Sequence, residues 1–299
     1  MPTLDLLTRP SFSTRHLVAA GALTALLVGA AAPARAHEFW LWPDRFAAAA
    51  GETLNVRALV GTGFRGELKP YAAPRVKRLE LRTNRVTDLR GIPLNGGDEY
   101  ARFITPDAAG GLLTYESDFA TITLPGVDFD RYLALEGLDD ARATHAKAGL
   151  AVPGRERYAR CCRTWIASGT AAASSDPARV TTPAGLTLEL TPARDPSQGG
   201  DVAFTVRWHS RPLAGALVRA WRRPLAHGAS PVAVAARDSV SAVWEARSNA
   251  QGIVHVPVME RGEYMLSCVH MEPSAVLAEA DWQSFWANFS FACLRQARR

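Results

Sequence analysis

The chain has no Gly-x-Ser-x-Gly turn and no Gly-Lys-Ser/Thr phosphate loop. Those absences remove the usual signatures of serine hydrolases and P-loop nucleotide enzymes. No two histidines stand at HxH, HxxxH or HExxH spacing, which excludes a zincin-type zinc site. The four cysteines, Cys161, Cys162, Cys268 and Cys293, include no Cys-x-x-Cys pair. Charge of one sign never accumulates. There are 34 Lys and Arg against 29 Asp and Glu, a formal +5 spread along the chain. A nucleic-acid surface would need clustered basic residues. The acidic pairs Asp128/Asp130 and Asp139-Asp140 have no catalytic context. They suit helix starts, where the dipole favours negative charge. No enzymatic activity is expected. After the N-terminal segment, no apolar run is long enough to span a bilayer.

That N-terminal segment is read as a signal peptide over residues 1–36. Arg9, Arg15 and His16 give a basic start, and Leu17–Ala32 is uncharged. Ala34-Arg35-Ala36 then supplies a small-x-small cleavage pattern. An uncleaved anchor is the rival, since Leu17–Ala34 just reaches spanning length. Its Ala- and Gly-rich composition and the adjacent cleavage site favour removal. The expected product is a periplasmic protein of two domains that begins at His37 and has no membrane span. The segment holds three Arg and one Asp, so its loss leaves a formal +3.

Mainly β-structure is expected: two β-sandwich domains, immunoglobulin-like or transthyretin-like, with a helical insert between them. Domain one covers residues 37–168. Its alternating runs are Glu52–Val60, Val76–Leu81, Tyr100–Ile104, Gly111–Glu116 and Ala120–Leu124. They are separated by Gly, Pro and Asn, the punctuation of a sandwich. The insert spans about 128–168. Asp128–Leu135 and Asp139–Ala148 have helical spacing, with Gly137 and Gly149 as stops. Arg155–Ser168 continues in similar vein, with an end that can be read as a strand. Residues 169–179 read as a linker. Domain two, residues 180–299, alternates at Leu186–Leu190, Val202–His209 and Gly262–His270. It carries the turn rhythm of a transthyretin-like sandwich around Pro212–Ala216 and Gln251-Gly252. Trp282, Phe285, Trp286 and Phe289 stand at i, i+3, i+4 and i+7, one face of a helical turn.

His37 is the candidate with the clearest chemistry. At a free N-terminus it offers an α-amine and an imidazole on one residue, a chelating pair for Ni, Co or Cu. The amine deprotonates readily near neutral pH. His270, at the end of a strand, is the second candidate; packing or hydrogen bonding in a core explains it as readily. His209 and His255 also fall on strands, and His145 falls on a helix expected to be solvated. The aromatic clusters Phe39/Trp40/Trp42/Phe46 and Trp282/Phe285/Trp286/Phe289/Phe291 read as core packing before a sugar-stacking surface. If the strands holding Cys268 and Cys293 pair, a disulfide between them is feasible in an oxidising compartment.

Several motifs recur in a fixed order along the mature chain. They are His-Glu-Phe-Trp-Leu-x-Pro at 37–43, Gly-x-x-Phe-x-Gly-Glu at 61–67, Phe129-Asp-x-Tyr-Leu-x-x-Glu-Gly-Leu138 and Pro153-Gly-Arg-Glu-Arg-Tyr-x-Arg-Cys161. Pro212-Leu-Ala-Gly-Ala216, Val269-His-Met271 and Asp281-Trp-x-Ser-x-Trp-Ala287 follow. The pattern resembles a family of bacterial periplasmic proteins of unknown function, described as periplasmic components of cobalt or nickel transport systems. The resemblance implies a metal ion carried as cargo, Ni or Co first and Cu next, and a membrane-embedded metal transporter as partner. His37 and His270 carry over as metal ligands. Cys162, Cys268 and Cys293 depart from the expected pattern and leave room for a disulfide peculiar to this chain. Two other classes stay open. One is a carbohydrate- or protein-binding module, which would expose Trp282 or Trp286. The other is a copper enzyme with an N-terminal histidine brace, which needs a second histidine beside the His37 amine.

Overall fold

A computed structural model describes residues 38–105, 107–169, 175–225 and 240–295. His37 and His227 lie outside the described residues, as does the segment read as a signal peptide. The first half of the chain runs β1 (Glu38–Pro43), β2 (Ala47–Ala48), β3 (Thr53–Thr62), β4 (Arg65–Leu68), β5 (Val76–Arg82) and β6 (Val86–Asp88). Next come β7 (Glu99–Ile104), β8 (Gly111–Ser117), β9 (Ala120–Leu124), α1 (Gly126–Leu135), α2 (Asp139–Ala148) and β10 (Gly154–Ser168). The second half holds α3 (Pro177–Thr181), β11 (Leu188–Pro192), β12 (Gly200–Trp208), β13 (Arg211–Pro212) and β14 (Leu217–Arg223). It closes with β15 (Ala242–Arg247), β16 (Ile253–Val258), β17 (Gly262–Pro273) and β18 (Trp282–Cys293).

The protein is mainly β, as expected, and its sheets stack in sandwich fashion. A ten-stranded sheet has the order β15-β14-β17-β18-β10-β8-β5-β6, with β2 and β9 also paired to β10. One face is covered by β11, β12, β13 and β16, through a core holding Phe204, Val206, Val256, Phe289 and Phe291. The other face meets β1, β3, β4 and β7 through Phe39, Leu41, Leu79, Tyr115 and Ile166. The pair α1–α2 packs on that same face, over Val269, Met271 and Trp286. Two sandwich cores therefore share one central sheet. Its seam is the parallel pair β10–β18, which joins the two halves of the sequence.

β10 corrects the expectation of a helical insert reaching residue 168. It is a strand of 15 residues, flanked by β8 and β9 on one side and β18 on the other. Its second half is buried on both faces, so the hydrophobic period that marks a half-exposed strand is missing. The same reason explains β18. Phe285, Phe289 and Phe291 enter one core, while Trp286 enters another across the sheet. The apparent helical stripe is two strand faces superimposed.

The helices sit where the periodicity places them. Gly126 opens α1 because an added Cβ would lie 2.2 Å from the Leu150 carbonyl oxygen. Gly154 opens β10 because a Cβ there would meet the Phe129 ring at 2.1 Å. His145 is buried, contrary to the expected solvated position, and its Nε2 lies 3.1 Å from the Gly126 carbonyl oxygen. The run Gly61-Thr62-Gly63-Phe64-Arg65-Gly66 has the spacing of a dinucleotide-binding glycine loop. It folds instead as the hairpin between β3 and β4, with no helix following.

The disulfide expectation fails on register. β17 and β18 do pair, but Cys268 stands opposite Ala287 and Cys293 opposite Gly262. That offset is about 20 Å along a strand, whereas a bridge needs Cα atoms within about 7 Å. All four cysteines are free and buried. Burial pushes every one of their thiols up, that of Cys161 to about 12. They behave as small apolar side chains. Among the described residues no helix is long and apolar enough to cross a membrane.

Candidate functional site

β1 follows His37 directly and is buried along its whole length. Alternation sends its side chains to two places. Phe39 and Leu41 join the core with Tyr100 and Tyr115, and the Phe39 and Tyr115 rings stack at 4.9 Å. Trp40 and Trp42 turn the other way, toward Trp221 and Met265. Glu38 shares their side. The backbone of β1 is held on the central sheet by side chains. The Cys162 thiol donates to the Phe39 carbonyl at 3.2 Å. The Thr164 and Ser290 hydroxyls donate to the Leu41 carbonyl at 3.2 and 3.3 Å.

Glu38 thus lies in a buried polar cluster with Glu136, Arg160 and Arg219. Arg219 Nη1 donates to Glu136 Oε2 at 3.1 Å and its Nε to Glu245 at 3.2 Å. A third bond runs from Arg219 Nη2 to the Leu135 carbonyl. Burial pushes the Glu38 carboxyl up to about 8, and the negative charge of Glu136 adds to this. Arg160 and Arg219 oppose the shift. Burial likewise raises Glu136 to about 6, against the pull of Arg219.

The cluster has polar atoms to spare. Glu38 is 4% exposed and its Oε2 has no hydrogen-bond partner. The indole Nε1 atoms of Trp40 and Trp42 are also unpartnered, as are both amide atoms of Asn288. Buried polar groups are normally paired. Glu38, Trp40 and Trp42, which share one side of β1, thus each leave a buried polar atom unpartnered.

A second buried carboxylate stands nearby on the same face. Glu156 Oε1 accepts from the Tyr132 hydroxyl at 3.1 Å and from the Ser284 hydroxyl. Trp286 Nε1 donates to that Ser284 oxygen at 3.1 Å. Burial raises Glu156 to about 7, offset by these bonds. Its partners account for it as an anchor for α1.

His270 lies elsewhere. Its opposite residue is Phe285, on the sheet face that carries the β11–β12 core, so the sheet separates it from Glu38. Its ring sits 4.5 Å from that of Trp208, which also packs on His209 at 4.2 Å and Phe285 at 4.6 Å. Burial lowers its pKa. His270 also borders an open groove of about 440 Å³ between Gly137–Ala141 and Leu213–Leu217. His255 is paired with Asp201 at 2.9 Å. Among the described residues no group of three or more His, Cys, Asp or Glu is placed to hold a metal. A metal at β1 would therefore draw on His37.

Trp286 is 4% exposed and stacks on Tyr132 at 5.9 Å, so it offers no sugar-stacking face. Reading the sequence singled out His37 and passed over Glu38 and Asn288. One signal was there for each: a lone charge opening an apolar strand, and a lone amide inside Phe285–Phe291.

No curated protein matches the chain. Among solved structures, a Salmonella alpha-2-macroglobulin mutant aligns at 13% identity and a TM-score of 0.20, covering 87% of this chain and 15% of its own. The chain thus spans under a sixth of that protein, and so low a score carries no argument about fold or function. A family model matches residues 34–272, so the chain belongs to the family described as a domain of unknown function, DUF4198.

Proposed function

We propose that this is an exported, periplasmic, non-enzymatic protein that binds a divalent transition metal, Ni or Co before Cu, as cargo for a membrane-embedded uptake system. His37 supplies the α-amine and imidazole once cleavage after Ala36 exposes them. Glu38, the next residue, supplies a carboxylate oxygen. The observation that carries this reading is the buried, unpartnered Oε2 of Glu38 beside that histidine in the chain. Nitrogen and carboxylate donors together suit borderline first-row metals. His270 lies on the opposite face of the central sheet from Glu38 and is left out of this reading.

The test is calorimetric titration with Ni, Co and Cu salts, after mass spectrometry has established His37 as the first residue. One glycine placed ahead of His37 removes the chelating amine while keeping the imidazole. A loss of at least about tenfold in affinity is expected. Unchanged affinity contradicts the reading.

A further inference from the structure

An edge strand leaves a row of backbone N–H and C=O groups open to pairing with another strand. Proteins that stay apart guard such a row with charge, proline or a bulge. Leaving aside the two-residue β2 and β13, the described strands bonded to a single neighbour are β1, β4, β6, β7, β9, β11, β15 and β16. β16 carries Pro257, and each of the others except β9 carries at least one Asp, Glu or Arg. β7 and β15 also meet their neighbours through a bulge. β9 is Ala-Thr-Ile-Thr-Leu, with neither charge nor proline, and its register against β10 is unbroken. Among the described residues it pairs with β10 alone, and Thr121 and Thr123 are exposed.

The surroundings of this edge are apolar too. Ile122 and Leu124 point to the sheet face that α1 covers. Past Leu124 the chain turns into α1, beside an open depression of about 530 Å³ lined by residues 123–127, Leu150, Ala151 and Pro153. Val127, Leu150 and Val152 are all exposed. Aliphatic groups gathered beside an open backbone edge mark an interaction surface, where singly scattered ones would not.

We propose that β9 is the seam of a homodimer, in which it pairs antiparallel with the β9 of a second copy and joins the two central sheets into one. The strand itself selects this occupant. Antiparallel pairing of a segment with its own copy has twofold symmetry, so the interface closes on itself. With the axis at Ile122, Thr121 stands opposite the partner subunit's Thr123 and the two Ile122 side chains meet, so no like charges are opposed. A charged peptide would find nothing along β9 to select it. The axis stands normal to the sheet, so the α1 helices of both copies lie on one face and their apolar patches border the seam.

The experiment uses the processed protein beginning at His37, without added metal. Sedimentation over a wide range of concentration measures its association, and amide exchange is followed at a high and a low concentration. A reversible dimer is expected, with slower exchange over residues 120–124 in the dimer than in the monomer. The double variant Thr121→Glu, Thr123→Glu sets carboxylates against one another across the seam. Within its own chain each new carboxylate faces an arginine, Arg157 or Arg155. The variant is expected to melt as the wild type does and to dimerise at least about tenfold more weakly. A chain that is monomeric at every concentration overturns the proposal. A dimer of wild-type strength in the folded variant overturns it as well. Should the variant not fold, exchange in the wild type decides: protection of 120–124 confined to the dimer supports the seam, and equal exchange in dimer and monomer overturns it.

Discussion

Two buried charge clusters flank the β10–β18 seam, and they are built differently. On one face of the central sheet, Arg163 and Glu189 pair at 3.0 Å with side chains 1% and 2% exposed. Arg163 donates to the carbonyls of Leu190, Val180 and Thr182 and to the Thr191 hydroxyl. Glu189 accepts from the backbone of Ala184, Gly185 and Leu186. The pair is a latch that pins residues 180–191 to β10. On the other face, Glu38 and Asn288 leave three polar atoms without partners. Both clusters are expensive to bury; the first recovers most of the loss within the chain, with Arg163 Nε its one unpartnered atom, and the second recovers less. The difference separates a structural use of buried charge from one that the proposed function assigns to a bound metal.

The latch should show the largest effect. Glu189→Ala leaves Arg163 charged and enclosed, and a loss of roughly 3–5 kcal/mol in urea unfolding is expected. A loss under about 1 kcal/mol would mean that water already reaches the pair, and the contrast would fail.

The next effect is one of pH. Glu156 titrates near 7 in the fold against an ordinary value of 4.5. A carboxyl whose folded value is raised holds its proton in the native state after the unfolded chain has released it. Stability is therefore highest below about 4.5 for this group and falls as pH rises toward 7, by a total on the order of 3 kcal/mol. Glu156→Gln keeps the acceptor for Tyr132 and Ser284, so it should make the slope shallower, leaving the contributions of the same sign from Glu38 and Glu136. Unfolding curves between pH 5 and pH 8 measure it, and an equally steep slope in the variant would assign the dependence elsewhere.

The smallest effect sharpens the contrast from the open side. Trp40→Phe removes an indole N–H that has no partner. Its stability should stay within about 1 kcal/mol of wild type. A loss well beyond the cavity left by the smaller ring would show that the indole is already bonded, and the cluster would then resemble the latch.

Much of the fold was legible because its elements are half-exposed. β3, β5, β9 and α2 fall where alternation or helical spacing puts them, since one face meets water and the other a core. β10 and β18 were not legible as full strands, because burial on both faces erases the period. The cysteines mislead for a related reason: pairing of two strands is readable, register is not. The candidate site was half legible. His37 announces itself through cleavage chemistry, which needs only local sequence. β1 and β18 meet where the Ser290 hydroxyl reaches the Leu41 carbonyl, residues 249 apart in the chain, and no local pattern reports such an approach. His270 stands on the face of the sheet opposite Glu38, a placement that no local pattern reports.

One measurement bears most directly on the open cluster: anomalous diffraction at the cobalt edge from crystals of the processed protein grown with Co(II). The proposed function predicts a single strong peak within bonding distance of Glu38, at the start of β1. A peak only beside His270 and Trp208, or none in the protein interior, would contradict it.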